Sequence, residues 1–253
     1  MLCMRPLPLP QTGYVMLRVD LRRLIMALCL FSTLLAVATV MLASYVVQRD
    51  QLISTALENN RVYAVKLAKL TDTLLTESQN TLRHFALTAG AHTYTAEERE
   101  DLITSARNQT SHFNSMVWLG ADNTVLAESP ANLGLVGQVV DTEQSRRAVA
   151  SRQAFISAPF RASTGRWVLS QVSPVFTSDG RYAGYVAGNL YLHEKNDLHS
   201  LLSEHYFKDG SYTYVVDRQG RIIFHPNNAL VGQATEHEQI AALMRNGKLS
   251  DQA

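Results

Sequence analysis

The sequence predicts an α+β protein carried on an N-terminal membrane helix. Three observations predict it. An uncharged apolar run fills Leu24 to Val47. A stretch free of Pro and Gly, with apolar residues at three-four spacing, follows from Asp50 to about Ala89. From Phe113 the pattern changes to period two, broken by Gly and Asp turns. These are the marks of a membrane span, a long helix and an antiparallel sheet, respectively.

The span reads LIMALCLFSTLLAVATVMLASYVV. About 24 residues at about 1.5 Å each cross a ~30 Å hydrocarbon core with some tilt. Its polar members Ser32, Thr33, Thr39 and Ser44 are expected to bond back to helix carbonyls. Arg5, Arg18, Arg22 and Arg23 precede it against a single Asp20, while Arg49 and Asp50 behind it cancel. The positive flank stays in the cytoplasm, so the chain is expected to exit outward. A cleaved signal peptide is the competing reading, with Ala36-Val37-Ala38 as its small-x-small site. The apolar run is longer than a usual signal core and continues past that site. A buried core helix would normally show a polar stripe, which this run lacks. Translation starts at Met1 or Met16; the residues between them form a Pro-rich leader.

Charge and cysteine use narrow the function. A net charge of +1 gives no concentrated basic face for nucleic acid. Cys3 and Cys29 lie before and inside the span and none follows Val47; an exported domain of this size needs no disulfides, so cysteine use leaves the redox compartment open.

After the span, Ile53, Ala56, Tyr63, Leu67, Leu70, Leu74, Leu82 and Phe85 share one helix face. A helix of this kind is about 60 Å long. Its face suits packing on its own domain or a parallel dimer seam with Asn60 as a polar position. Gly90 is expected to end it. Thr95 opens a second helix, TAEEREDLITSARNQ, with acidic residues in its first turn.

Ser115 to Leu119 reads as a strand, Gly120 to Asn123 as a turn, and Thr124 to Glu128 as the returning strand. Asp141-Thr142-Glu143-Gln144 resembles a capping box before a short helix through Ala150. Phe155 to Phe160, Arg166 to Phe176 and Tyr182 to Leu192 are further strands, joined by turns at Ser163-Thr164-Gly165 and Ser178-Asp179-Gly180. The sheet should have about five strands, with helices on one side.

The chain then repeats itself. WLGADNTVLAESPANLGLVGQ, from Trp118 to Gln138, matches YVVDRQGRIIFHPNNALVGQ, from Tyr214 to Gln233. Asp122 aligns with Asp217, Ser129-Pro130 with His225-Pro226, and Leu135-Val136-Gly137-Gln138 with Leu230-Val231-Gly232-Gln233. Such self-similarity predicts tandem modules. The second copy continues into a helix, Glu236 to Arg245, and lacks the three later strands, so the chain is expected to be a fragment of a longer protein. The predicted organisation is a cytoplasmic segment (1–23), membrane helix (24–47), long stalk helix (48–90), membrane-distal module (91–205) and truncated membrane-proximal module (206–253).

With these features the sequence resembles a bacterial double-Cache extracytoplasmic sensor, made of two PAS-like modules. The resemblance rests most specifically on FISAPFRASTGRWVLSQVSPVFTSDGRYAGYVAGNLYL, Phe155 to Leu192. It is similar above all to the versions attached to GGDEF diguanylate cyclases, which make cyclic di-GMP. Chemoreceptors and histidine kinases carry related modules. The resemblance implies a sensor in the inner membrane, single-pass here, with its bulk in the periplasm. It implies a small ligand in the distal module, between the sheet's concave face and the loops above it. Amino-acid-binding members hold the carboxylate with an Arg and aromatics, and the amine with an Asp. Arg161, Arg166 and Trp167 sit in the corresponding region, without the usual Arg-x-Trp-Tyr order. Asn189 stands at the position resembling the Asp, which removes the charge an ammonium needs. A small anionic or neutral ligand is therefore expected, with Arg161 as bidentate donor and Trp167 as wall. Trp118 and Tyr191 complete the expected set, although Trp118 and Trp167 also read as core aromatics and Arg161 and Arg166 as solvated turn residues.

No cofactor, metal or catalytic residue is implied. His193-Glu194 begins like a zinc-protease motif, but Asp197 stands where the second His belongs. His193, His199 and His205 scatter around a helix. No Gly-x-Ser-x-Gly elbow, P-loop or dinucleotide fingerprint occurs. The expected partners are the lipid bilayer, a small-molecule ligand and a second copy through the long helix. A membrane-tethered enzyme and a purely structural dimer remain as rival classes.

Overall fold

The computed structural model describes residues 20–162, 164–203, 212–217 and 219–235. The expected helix Glu236 to Arg245, the leader with Cys3, Arg5 and Arg18, the turn residue Ser163, and His205 lie outside the described residues. The chain divides into two units, Met1–Asn60 and Arg61–Ala253.

In the first unit the described residues are helical from Leu21 and exposed throughout. They belong to α1, Leu21–Ala91, which is long and apolar enough to cross a membrane. Ser32 donates to the Cys29 carbonyl (2.9 Å), Thr33 to Leu30 (2.9 Å), and Thr39 to Ala36 (2.8 Å). Each hydroxyl is thereby satisfied without water. Ser44 departs from this pattern and accepts from the Gln48 side chain, 3.1 Å away.

In the second unit the rest of α1 packs against one face of an antiparallel sheet. Its helices are α2 (Ala96–Asn108), α3 (Glu143–Ser151) and α4 (Asp197–Ser203). Its strands are β1 (Ser115–Gly120), β2 (Val125–Ser129), β3 (Phe155–Ile156), β4 (Phe160–Arg161), β5 (Trp167–Phe176) and β6 (Tyr182–Tyr191). They run in the order β2-β1-β6-β5-β3, with β4 also on β5. The sheet thus has six strands, because the segment expected as one strand from Phe155 to Phe160 is two. Ser157 still donates to the Ser170 carbonyl at 2.8 Å. Pro159 follows, buried and without an N–H for the ladder, and the pairing breaks there.

The face of α1 also divides. Leu67, Leu82 and Phe85 are buried under the sheet with Ile103, Met116, Trp118, Leu169, Val186 and Leu190. Leu70, expected on that face, is 42% exposed, and Ile53 is 48% exposed. Gly90 does not terminate the helix, which runs on to Ala91. It lets the helix touch β5: a Cβ there would lie 1.9 Å from the Phe176 carbonyl oxygen. Thr95 caps α2 in a reciprocal box with Glu98. The cap of α3 is Thr142, one residue later than the sequence pattern placed it, and its box partner is Ser145 rather than Gln144.

The second copy of the repeat forms the hairpin β7 (Val215–Val216) and β8 (Ile222–Phe224). Its backbone bonds reproduce those of the first. Val125 donates to the Gln138 carbonyl (2.9 Å) and Ile222 to Gln233 (2.8 Å). Gln138 folds back onto the Gly134 carbonyl (2.6 Å) and Gln233 onto Ala229 (2.7 Å). The bonding corrects the alignment of the turn, however. Gly120 receives and gives the bonds that Asp217 has in the second copy, so Asp122 lies two residues beyond Asp217's place. The two aspartates do a similar job from different positions. Asp122 accepts the Thr124 amide (3.0 Å), and Asp217 accepts those of Gln219 (2.9 Å) and Arg221 (2.8 Å).

Candidate ligand-binding cleft

Strand alternation gives the sheet two faces with different tasks. Met116, Trp118, Leu169, Gln171, Val186 and Leu190 belong to the α1 face. Ser115, Val117, Leu119, Ser170, Val172, Tyr185, Ala187, Asn189 and Tyr191 floor a cleft on the other. Leu133, Leu135 and Val140 from the loop after β2, the start of α3, and Phe160 and Ala162 beside β4 form its walls. The space is about 680 Å³ counted out to its open mouth.

Register builds the floor row by row. Ser115 pairs with Asn189, and Asn189 with Ser170, so three polar side chains stand abreast on β1, β6 and β5. Asn189 donates to the Ser115 hydroxyl at 3.2 Å and accepts from Ser170. The Tyr191 hydroxyl also donates to Ser115, at 2.8 Å. The next row is apolar: Val117, Ala187 and Val172. Beyond it, the Tyr185 hydroxyl donates to the Asn123 side chain at 3.0 Å. Burial pushes the Tyr185 phenol well above the ordinary tyrosine value, and the neighbouring Tyr182 adds to this.

Glu128 sets the wall. It is 3% exposed, and its carboxylate accepts the amides of Gly134 (2.8 Å) and Leu135 (2.7 Å). This fixes the loop carrying Leu133 and Leu135 over the floor. The start of α3 is closed by its own cap: Thr142 accepts the Ser145 amide at 3.1 Å, and Ser145 accepts the Thr142 amide at 2.9 Å.

Of the residues singled out from sequence, Asn189 and Tyr191 reach the cleft. Trp118 lies through the sheet, edge-on to Phe85 and Tyr94 with ring centres 6.0 Å away in each case. Trp167 packs on the second copy of the repeat, where a Cβ on Gly232 would lie 2.4 Å from its ring. The Arg161 guanidinium sits over that same indole, 5.7 Å from its centre. The Arg166 guanidinium pairs with Glu194 at 3.2 Å and lies 4.8 Å from the centre of the Tyr191 ring. Ser115, Ser170, Tyr185, Gln144 and Glu128 were missed, although period two from Val117 would have nominated Ser115. Among the described residues no group of His, Cys, Asp and Glu is arranged to hold a metal. Asp197 pairs with His112 at 2.7 Å instead.

A family model described as "Cache domain" (dCache_1) matches residues 45–252. A search of curated proteins found no match. Among solved structures, the chain is similar to an extracellular ligand binding receptor from Desulfohalobium retbaense, with 17% identity and a TM-score of 0.59 over 72% of this chain and 33% of that one. This chain therefore spans about a third of that receptor. It is similar to the ligand binding domain of the Pseudomonas aeruginosa amino acid chemoreceptor PctC, solved with GABA: 20% identity, TM-score 0.55, 69% and 78% covered. It is also similar to the extracellular domain of the histidine kinase candidate mmHK1S-Z2, with 16% identity, TM-score 0.55, 72% and 80% covered.

Proposed function

The chain belongs to the Cache domain family, and on that premise we propose that it is the membrane-anchored input region of a bacterial signalling protein, sensing a small molecule in its distal module. The observation that carries this reading is the open cleft on the sheet face turned away from α1. A ligand there contacts the same strands that hold α1 on their other side. Binding can then bias the helix, and a differential affinity for two helix positions is all that signalling requires.

The finer parts of the proposal follow from the sequence. The N-terminus is cytoplasmic and the sheet lies outside, as the basic residues before the span direct. The distal module extends through about residue 205 and the proximal one begins after it. A second copy docks along the stalk, where Ile53, Leu57 and Leu70 are uncovered. The output is a diguanylate cyclase, on the resemblance of Phe155 to Leu192. A chemoreceptor or histidine kinase output is the second reading, favoured by the likeness to the chemoreceptor and kinase domains.

The test uses the full chain in lipid nanodiscs. Thermal unfolding is followed against a library of small metabolites. A ligand at a hundred times its Kd should stabilise the sensor by about 2.7 kcal/mol, and narrowing the cleft with Ala187→Leu should abolish the shift. Failure of every metabolite to stabilise the chain counts against the sensor reading. For the output, cyclic di-GMP is measured in cells with and without the intact gene; an unchanged level rules out the cyclase.

A further inference from the structure

We infer that the distal cleft takes an uncharged ligand, largely apolar with a hydrogen-bond donor, and rejects free amino acids and small carboxylates. This rests on the cleft being the sensor's ligand site.

Among the described residues, none lining the cleft carries a formal charge. Three charged residues near it make other contacts. Arg166 pairs with Glu194 across the Tyr191 ring, Arg161 covers Trp167, and Glu128 is occupied by two loop amides. The first turn of α3 spends the Ser145 amide on Thr142 and carries the acidic Glu143, which opposes an anion there. The polar row Ser115, Asn189 and Ser170 bonds within itself, and the raised Tyr185 phenol stays protonated. A carboxylate or ammonium entering this space would lose its water and meet no opposite charge. An uncharged molecule meets no such cost, and the valines and leucines of the walls favour it.

One lining group has an unmet need. The Gln144 side-chain carbonyl oxygen is buried and accepts no hydrogen bond among the described residues. Gln144 lines the cleft at the start of α3. A ligand N–H or O–H supplied there would satisfy it, whereas a carboxylate would not.

Three matched pairs test the assignment: benzamide and benzoate, 2-pyrrolidinone and γ-aminobutyrate, N-acetylleucinamide and leucine. Binding to the full chain in nanodiscs is read by saturation-transfer NMR and by thermal shift. At least one uncharged member should bind, with its charged counterpart weaker by about tenfold or more. Gln144→Leu keeps the side-chain bulk and should weaken that binding roughly three- to tenfold. Preference for a charged member overturns the inference and leaves the sensor reading intact. Unchanged affinity in Gln144→Leu overturns the donor requirement. Silence from all three pairs overturns the uncharged-ligand assignment, while a hit in the metabolite library keeps the sensor reading.

Discussion

Gln171 of β5 donates its side-chain amide to the hydroxyl of Ser78 on α1, 2.8 Å away, and neither residue is exposed. The same amide also reaches the Leu75 carbonyl at 3.1 Å. Ser78→Ala should cost about 1–2 kcal/mol, because it strands one buried N–H. Gln171→Leu should cost less, since it also removes a buried carbonyl oxygen that has no partner among the described residues. A double-mutant cycle by urea denaturation checks the order and the coupling.

Trp167 of β5 and Gly232 of the second copy of the repeat are in contact. Gly232 has φ +84°, and a Cβ would strike the indole. Gly232→Ala combines backbone strain with overpacking and should destabilise the hairpin by about 2–4 kcal/mol. The fluorescence of Trp167, isolated in a Trp118→Phe background, should shift to the red. An unshifted spectrum contradicts the contact.

Trp118 separates stability from binding. With Phe85 and Tyr94 packed on it, Trp118→Ala should cost about 3–5 kcal/mol. Trp118→Phe should cost less and leave ligand affinity unchanged, because the residue lies through the sheet from the cleft. Calorimetry on both variants decides it.

Glu128→Gln keeps the shape but weakens the hold on Gly134 and Leu135. The lost charge-assisted bonds should cost about 1–3 kcal/mol. Amide exchange at those two positions should accelerate, and cleft ligands should bind more weakly.

Asp179 gives a pH prediction. Bonds from Thr177 and then Arg181 hold its carboxyl down to about 2. A depressed folded value means its contribution is present above the unfolded carboxyl range and fades as pH falls toward about 2. NMR titration should place its midpoint there, and Thr177→Val should move it upward. An ordinary midpoint in the wild type contradicts the turn geometry.

Much of this fold was legible because it depends on local chemistry. Thr95 and Glu98 form a capping box, and the two LVGQ segments fold alike because their glutamines bond the same local carbonyls. The sixth strand was harder to read, because it depends on a single proline, Pro159, interrupting the ladder between β3 and β4. The site was harder. Arg161, Arg166 and Trp167 look functional by type, but their roles depend on Glu194 and Gly232, which are distant in sequence. Asn189 stands out in sequence because it departs from a charged position in the resemblance. Its partners Ser115 and Ser170 are common residues, and only strand register brings them together.

Val172 adjoins Gln171 on β5. Its side chain faces the cleft, and its carbonyl accepts a hydrogen bond from Gln79 of α1 at 3.1 Å. The two residues together therefore form one joint, loaded from the front by whatever fills the cleft and fastened behind to adjacent residues of the helix. A displacement at the Val172 side chain needs no relay of repacked neighbours to be felt on α1. It has a single link of backbone to cross.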